Sequence, residues 1–222
     1  MLQVKNISLT YNDLPVIKDI SFSIDKNEIV VIIGPSGCGK SSLLKMIANR
    51  IQPSSGQIIN TYNKTSFVFQ DDCLLPWYSV YNNIKIVEDI EDKEKINQLI
   101  EDVELKGFED YLPKQLSGGM KKRCGIARAF YYQSDILLMD EPFSGLDYSL
   151  RKEMIDMLLK MYHKNKKPII FVTHEIDEAL YVADRIIVLS QRPSSIIKEF
   201  VLPKDKNKES MNTIKEELIT YL

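Results

Sequence analysis

The chain has 222 residues, the size of one large domain or of one domain with a subdomain. Its composition, 27% charged and 44% hydrophobic, is typical of a soluble globular protein, and a net charge of −2 gives no reason to expect a nucleic-acid partner. No apolar run approaches the roughly 18 residues of a membrane span, and Cys38, Cys73 and Cys124 share no metal-ligand spacing, which predicts free thiols.

Short strands are predicted at the start of the chain, because apolar residues nearly alternate along two runs. The alternating residues are Leu2, Val4, Ile7, Leu9 and Tyr11, followed by Ile20, Phe22 and Ile24. A turn-forming segment, residues 12–15, separates the two runs. Two more strands are expected at residues 57–60 and 66–70. We expect these four strands to form one antiparallel layer, over about residues 1–27 and 56–69.

A glycine-rich loop lies between an apolar strand, Ile29–Ile33, and a helical stretch, residues 41–47. The loop reads Gly34-Pro35-Ser36-Gly37-Cys38-Gly39-Lys40-Ser41-Ser42. Strand, loop and helix in this order are the context of a phosphate-binding loop, whose glycines point backbone N–H groups inward beside a helix N-terminus. In such a loop Lys40 can reach the β- and γ-phosphates, the Ser41 hydroxyl can hold Mg²⁺, and alkylation of Cys38 is expected to block nucleotide. An ordinary tight turn is the alternative, and the full spacing argues against it.

Helices are predicted from residue 72 to residue 132, where we expect a helical subdomain. Residues 93–105 carry apolar side chains at helical spacing, and a second helix is expected to begin near Ser117. Ser117 is a natural N-cap, and Gly118 and Gly119 expose backbone N–H groups, so residues 116–120 are a candidate second anion site. Taken alone, the same segment could be a capped helix with a basic solvated face.

Strands and helices alternate in the rest of the chain. Strands are predicted at residues 135–140, 168–173 and 185–190, and helices at residues 150–163 and 175–183. This alternation predicts a parallel sheet with helical crossovers. A last helix places Met211, Ile214, Leu218 and Leu222 on one face, which we expect to dock on the body of the protein.

Polar side chains end three of the predicted strands. Asp140 and Glu141 follow one strand, His174 follows the next, and Gln70 ends a third. Because adjacent strand residues point to opposite sides, Asp140 and Glu141 cannot do the same job. One can orient Mg²⁺, and the other can take a proton from a water that attacks a terminal phosphate. Gln70 could ligate Mg²⁺ or could be structural.

Together these motifs resemble the nucleotide-binding subunit of an ABC transporter. The resemblance is carried by residues 34–42, Gln70, residues 116–120, residues 136–141, residues 144–147 and His174, and it spans nearly the whole chain. It implies an α/β fold over residues 1–222: a P-loop NTPase core with a mixed, mostly parallel sheet, an antiparallel β subdomain and a helical subdomain. It also implies an ATPase with ATP and Mg²⁺, and a head-to-tail homodimer that closes on two ATP molecules.

The resemblance also assigns roles to individual residues. Lys40 and the loop bind phosphates, Ser41, Gln70 and Asp140 hold Mg²⁺, Glu141 is the general base, and His174 senses the γ-phosphate. Lys40, Gln70, Glu141 and His174 are thus the candidate catalytic residues. Ser117, Gly118 and Gly119 meet the γ-phosphate of the second copy, and Asp147 communicates across the interface. Tyr11 would stack on adenine with Val16 beside it, unless Tyr11 is simply a core aromatic.

Two segments resemble the importer group for nitrate, sulfonates, taurine and thiamine precursors. One is Leu74-Leu75-Pro76-Trp77, and the other is Ser190-Gln191-Arg192-Pro193. This implies integral membrane permease subunits that meet the segment from Gln70 to Tyr81, an extracytoplasmic solute-binding protein, and a place at the cytoplasmic face of the membrane. Burial is the simpler interpretation of Trp77.

Three residues depart from the family pattern: Lys122, Cys124 and Ser194. Lys122 is expected to add charge near the second anion site. Two alternatives remain for the function, a soluble ABC ATPase outside transport and a regulatory ABC subunit that binds ATP without hydrolysing it. Intact Asp140, Glu141 and His174 argue against the second alternative.

Overall fold

The computed structural model describes residues 1–205 and 208–222. Nine strands lie in that part of the chain: β1 (Leu2–Tyr11), β2 (Leu14–Ile24), β3 (Ile29–Ile33), β4 (Ser55–Asn60), β5 (Thr65–Val68), β6 (Ile136–Asp140), β7 (Ile169–Thr173), β8 (Arg185–Leu189) and β9 (Ile196–Val201). The helices there are α1 (Lys40–Ile47), α2 (Val80–Lys85), α3 (Lys93–Asp102), α4 (Gly118–Tyr131), α5 (Tyr148–Lys164), α6 (Ile176–Val182) and α7 (Lys208–Ile219). Within these ranges, no helix is both long and apolar enough to cross a membrane.

The strands form two sheets. Six strands make a central sheet in the order β5-β6-β7-β3-β8-β9, in which the first five are parallel and β9 runs antiparallel to β8. The other three make an antiparallel sheet in the order β2-β1-β4. With helices as crossovers, this is the mixed, mostly parallel α/β architecture that the alternation predicted.

The central sheet separates two hydrophobic cores, because successive strand residues point to opposite faces. On one face Ile29, Val31 and Ile33 pack with residues of the helices α4 to α7. On the other face Val30 and Ile32 pack with α1 and the antiparallel sheet. The C-terminal ends of β3, β6 and β7 therefore emerge between two rigid layers, at the edge where parallel α/β sheets bind ligands.

One predicted strand belongs to a different sheet. Residues 66–70 were expected in the antiparallel layer, but the observed strand β5 pairs in parallel with β6, with Thr65 opposite Ile136 and Val68 opposite Met139. The pairing is fixed at its start, where the carboxylate of Asp135 accepts hydrogen bonds from the backbone of Asn63 and Lys64. The prediction was wrong because strand alternation does not specify a strand's partner.

Smaller differences concern one turn, two elements that were not predicted, and the last helix. The predicted turn over residues 12–15 is only Asn12 and Asp13, which have φ of 44° and 68°, as a two-residue hairpin requires. The edge strand β9 and the six-residue helix α2 were not predicted. The expected docking of the last helix is observed at Leu218, which is fully buried, whereas Leu222 is exposed.

Candidate nucleotide site

Close backbone contacts shape the glycine-rich loop between β3 and α1. A Cβ atom on Gly34 would lie 2.8 Å from the carbonyl oxygen of Leu189. Gly39 has a φ of 115°, and a Cβ atom there would lie 2.9 Å from Cγ1 of Val16. Any larger residue at these two positions would push the loop away from its neighbouring strands, so the loop requires glycine for its conformation.

Lys40 is the first residue of α1, and its side chain folds back over the loop. The residue is only 5% exposed, and Nζ donates to the carbonyl oxygens of Gly34 at 2.8 Å and of Pro35 at 3.0 Å. An ammonium group has three donors. Two of these donors hold the ammonium group against the loop, close to where the loop N–H groups would bind an anion.

Ser41 and Asp140 come together from α1 and β6. The Ser41 hydroxyl donates to Oδ1 of Asp140 at 2.9 Å, and Asp140 is 6% exposed. Burial raises the pKa of the Asp140 carboxyl, and the Ser41 hydrogen bond offsets part of that shift. A buried carboxylate beside a hydroxyl fits Mg²⁺, which binds oxygen ligands, commonly through one or two carboxylates.

Glu141 and His174 form a second pair, at the ends of the neighbouring strands β6 and β7. Oε2 of Glu141 lies 3.1 Å from Nδ1 of His174. Glu141 has a φ of 43°, and its N–H donates to the carbonyl of Val172 at 2.9 Å. This unfavourable backbone conformation is held by a hydrogen bond to the neighbouring strand. The two adjacent carboxylates have different partners, Ser41 for Asp140 and His174 for Glu141, although Glu141 lies just beyond β6 and not within the strand.

The second predicted anion site begins α4. The Ser117 hydroxyl caps the helix by accepting from the N–H of Met120 at 3.2 Å, and Gly118 is exposed. A Cβ atom on Gly119 would lie 2.9 Å from Cδ2 of Leu150, so the start of α4 packs against the start of α5. Asp147 caps α5 by accepting from the N–H of Leu150 at 3.0 Å. Residues 117–119 form no hydrogen bond with the loop of residues 34–42.

The remaining predicted residues lie around these two centres. Tyr11, at the end of β1, is 44% exposed, and Val16 is buried against Gly39. Gln70 was expected to end a strand, but it is an exposed residue two positions beyond β5. The Gln70 carbonyl accepts from Nζ of Lys122 at 3.1 Å, so the charge of Lys122 lies at Gln70.

The effect of Cys38 alkylation on nucleotide binding stays a prediction, but the structure makes the thiol a poor target for alkylation. The thiol is buried, and burial raises its pKa. Because the thiolate is the reactive form, both effects slow alkylation, and Cys38 contributes its backbone to the loop rather than a reactive side chain.

A family model described as "ABC transporter" matches residues 17–144, which is more than half of the chain. The chain belongs to the ABC transporter family. This membership confirms the predicted resemblance, the α/β fold of an ABC ATPase, and the expected ATP-hydrolysing activity.

Individual relatives of this ABC protein cover nearly its whole length. It is 41% identical over 212 residues to the aliphatic sulfonates import ATP-binding protein SsuB 1 of Pseudomonas savastanoi pv. phaseolicola, covering 93% of this chain and 90% of the relative. It is 38% identical over 229 residues to the aliphatic sulfonates import ATP-binding protein SsuB of Bacillus cereus, covering 97% and 91%. The dimeric post-hydrolysis structure of the ATP-binding cassette MJ0796 bound to ADP and Pi matches with a TM-score of 0.80 and 28% identity, covering 91% of this chain and 99% of that one. The named relatives fit the importer group that the sequence predicted.

Sequence reasoning assigned no role to two arginines of this ABC ATPase, one that contacts the loop and one that contacts residues next to Asp147 and His174. Arg192 donates to the carbonyl of Gly37 from Nε at 3.2 Å and also from Nη2. Arg151 pairs with Glu175 at 2.8 Å and donates to the Leu146 carbonyl at 3.0 Å. For Arg192 the sequence contained one signal, the Ser190-Gln191-Arg192-Pro193 stretch that resembles the importer group, but this resemblance assigned no function to the arginine. For Arg151 the sequence analysis found no signal.

Proposed function

We propose that this chain is the ATP-hydrolysing subunit of an ABC importer and that two copies close head to tail around two ATP molecules. The observation that carries the proposal is the arrangement at the ends of β6 and β7. The Ser41–Asp140 pair lies where the loop of residues 34–42 enters α1, and the Glu141–His174 pair lies at the same edge of the sheet, at the ends of the strands β6 and β7. This edge offers an anion-binding loop, an oxygen-rich cation site and a candidate base.

Within the proposal, the residues of the chain divide the work of hydrolysis. Lys40 and the loop N–H groups bind the phosphates, and Tyr11 and Val16 lie beside the adenine. Glu141 accepts a proton from the water that attacks the γ-phosphorus, and the bond from that phosphorus to the bridging oxygen of ADP breaks, which gives ADP and phosphate. His174 holds the Glu141 carboxylate through the 3.1 Å contact.

We propose that Ser41, Asp140 and Gln70 hold Mg²⁺ with the nucleotide. The ion would neutralise charge on the phosphate oxygens. The buried Asp140 carboxylate, which lies 2.9 Å from the Ser41 hydroxyl, supports this assignment, because Mg²⁺ binds oxygen ligands.

The second copy of the chain is proposed to complete each site. Ser117, Gly118 and Gly119 offer a capped helix N-terminus that forms no hydrogen bond with the chain's own loop. In a head-to-tail dimer that terminus would meet the γ-phosphate bound to the partner, with Asp147 beside it at the interface. We further propose that residues 72–132, which carry this terminus, act as a helical subdomain beside the nucleotide core.

The membrane partner is proposed to meet the segment from Gln70 to Tyr81. Trp77 is 68% exposed, which does not fit the alternative of simple burial. A large exposed aromatic side chain in this segment is available to a protein partner. Since the relatives above are named for the import of aliphatic sulfonates, we propose a sulfonate as the cargo, brought by an extracytoplasmic solute-binding protein, and a peripheral position at the cytoplasmic face.

Co-purification from native membranes in mild detergent tests the transport assignment. We expect the tagged wild-type chain to hydrolyse ATP and to bring down a polytopic membrane protein together with a solute-binding protein. We expect Trp77→Ala to lose that membrane partner and to keep the ATPase activity of the isolated chain. Val201→Ala, at another strongly exposed apolar position, on β9, is the control. Recovery of ribosomes or DNA-repair factors in place of a membrane protein would refute the transport assignment and favour a soluble ABC ATPase.

A further inference from the structure

We infer that Arg192 is a positioning residue for the phosphate loop, and that residues 190–195 form a strap that holds the loop against β2. The inference rests on the proposed function, because it takes residues 34–42 to bind nucleotide phosphates. It adds a residue outside the loop that keeps the loop in its binding shape.

Arg192 fixes one peptide unit of the loop from outside. Nε and Nη2 of its guanidinium both donate to the Gly37 carbonyl, with Nε at 3.2 Å. At the other end of that peptide unit, the N–H of Cys38 donates to the Pro35 carbonyl at 3.3 Å. Both polar groups of the Gly37–Cys38 peptide are therefore occupied, and the peptide cannot rotate without breaking at least one hydrogen bond.

The conformation of Gly37 makes this restraint necessary. Gly37 has a φ of 75°, and a Cβ atom there would have only the Arg192 guanidinium as a neighbour, at 3.4 Å. Glycine loses more conformational freedom on ordering than any other residue. Without an external hydrogen bond, the exposed middle of the loop would sample other conformations, and nucleotide binding would have to order it.

Arg192 can act as a restraint because its own turn is anchored. The buried Ser194 donates from N to the Val16 carbonyl at 2.9 Å and accepts from the N–H of Lys18 at 2.8 Å. The turn is closed by the N–H of Ser190, which donates to the Ser195 carbonyl at 3.0 Å. Ser194 departs from the family's glycine, and here its hydroxyl adds a third bond, to the Val16 carbonyl at 3.3 Å.

The strap therefore reaches the loop at two places. Arg192 holds Gly37 directly, and Val16, which Ser194 holds, packs against Gly39. Val16 is also the residue proposed to lie beside the base. One short turn thus links the phosphate side and the base side of the proposed nucleotide site. This turn follows the end of β8, and Arg192 lies 155 residues beyond Gly37 in the chain.

An arginine suits this position better than a lysine. The guanidinium presents several donors in a rigid fork, so two of them can converge on one carbonyl, whereas an ammonium is a point charge on a flexible stem. Arg192→Lys should therefore keep the positive charge near the phosphates and lose part of the restraint. A purely electrostatic contribution would leave Arg192→Lys equal to the wild type.

Nucleotide affinity and steady-state kinetics of the purified chain test the inference. We expect Arg192→Ala, which removes the charged hydrogen bonding to the Gly37 carbonyl, to raise Kd for ADP and KM for ATP about tenfold, with kcat changed less than twofold. Arg192→Lys should fall between Arg192→Ala and the wild type. Arg50→Ala, an exposed arginine three residues beyond α1, is the control and should match the wild type.

The outcomes separate this inference from the proposed function. If the wild type binds ADP and Arg192→Ala binds it equally well, the strap is refuted and the nucleotide site stands. A wild type that binds no nucleotide would refute both. If Arg192→Ala unfolds, the Arg192→Lys value decides: a Kd equal to that of the wild type contradicts the restraint, and a raised Kd with unchanged kcat supports it.

Discussion

Asp140 and Glu141 are neighbours in the chain, and their environments give them different chemistry. Asp140 is buried, bonded to Ser41, and has a raised pKa. Glu141 is more exposed and contacts the imidazole of His174. A carboxylate that is to accept a proton from water needs access to solvent and a partner that orients it, which describes Glu141 and not Asp140.

Glu141→Gln tests the proposed base at the residue scale. The amide has the same size but cannot accept the proton, so we expect ATP hydrolysis to fall at least about 100-fold while ATP still binds. Because the products would form far more slowly, the ATP-bound dimer should accumulate and elute earlier in size-exclusion chromatography. Glu175→Gln is the matched control, since Oε1 of Glu175 lies 3.8 Å from the other ring nitrogen of His174. An equal loss of hydrolysis in Glu175→Gln would contradict the assignment to Glu141.

Between elements, an ionic cluster joins the start of α5 to the turn before α6. Arg151 pairs with Glu175 at 2.8 Å, and its Nε lies 3.4 Å from Oε1 of Glu178. Glu178 is buried, which raises its pKa, and accepts from the Thr173 hydroxyl at 2.5 Å. Since Arg151 also holds the Leu146 carbonyl, the cluster fixes the segment before Asp147 relative to the turn that carries His174.

Removing Arg151 should destabilise this junction. In Arg151→Met the Glu178 carboxylate would stay buried without its cation, and we expect a loss of about 3 kcal/mol in the free energy of unfolding at pH 7. The double variant Arg151→Met/Glu178→Gln should recover part of that loss, because no buried charge remains unpaired. Urea unfolding measures both, with Lys152→Met, an exposed cation on the same helix, as the control. Equal losses in the single and double variants would contradict the pairing.

The elements that sequence could predict are those fixed by near neighbours. Ser117 and Asp147 cap helices within three residues of themselves, and the turn of the loop follows from its own glycines. The partner of β5 and the bond from Arg192 to Gly37 join residues far apart in the chain. Local periodicity contains no information about such contacts, which is why β5 was assigned to the wrong sheet and both arginines were missed.

For the molecule as a whole, the two cores leave little room for charge, yet a second lysine is buried besides Lys40. Lys167, just before β7, is 5% exposed. Its Nζ lies 3.3 Å from the Ser134 hydroxyl and over the Phe130 ring at 5.5 Å, and it has no carboxylate partner within 4 Å among the described residues. Burial lowers the pKa of the Lys167 ammonium to about 8 from the usual 10.5.

This pKa shift predicts how the stability of the whole fold depends on pH. Between about pH 8 and 10.5 the unfolded chain binds the proton that the folded chain has released, so stability rises with pH in that window. The cost to folding is on the order of 3 kcal/mol at pH 7 and falls by about 2 kcal/mol at pH 9.5. We expect Lys167→Met to be more stable than the wild type at pH 7 and to lose most of this rise, measured by urea unfolding at both pH values. The exposed neighbour variant Lys166→Met should keep the rise. If Lys167→Met shows the same pH dependence as the wild type, the buried charge is not its source.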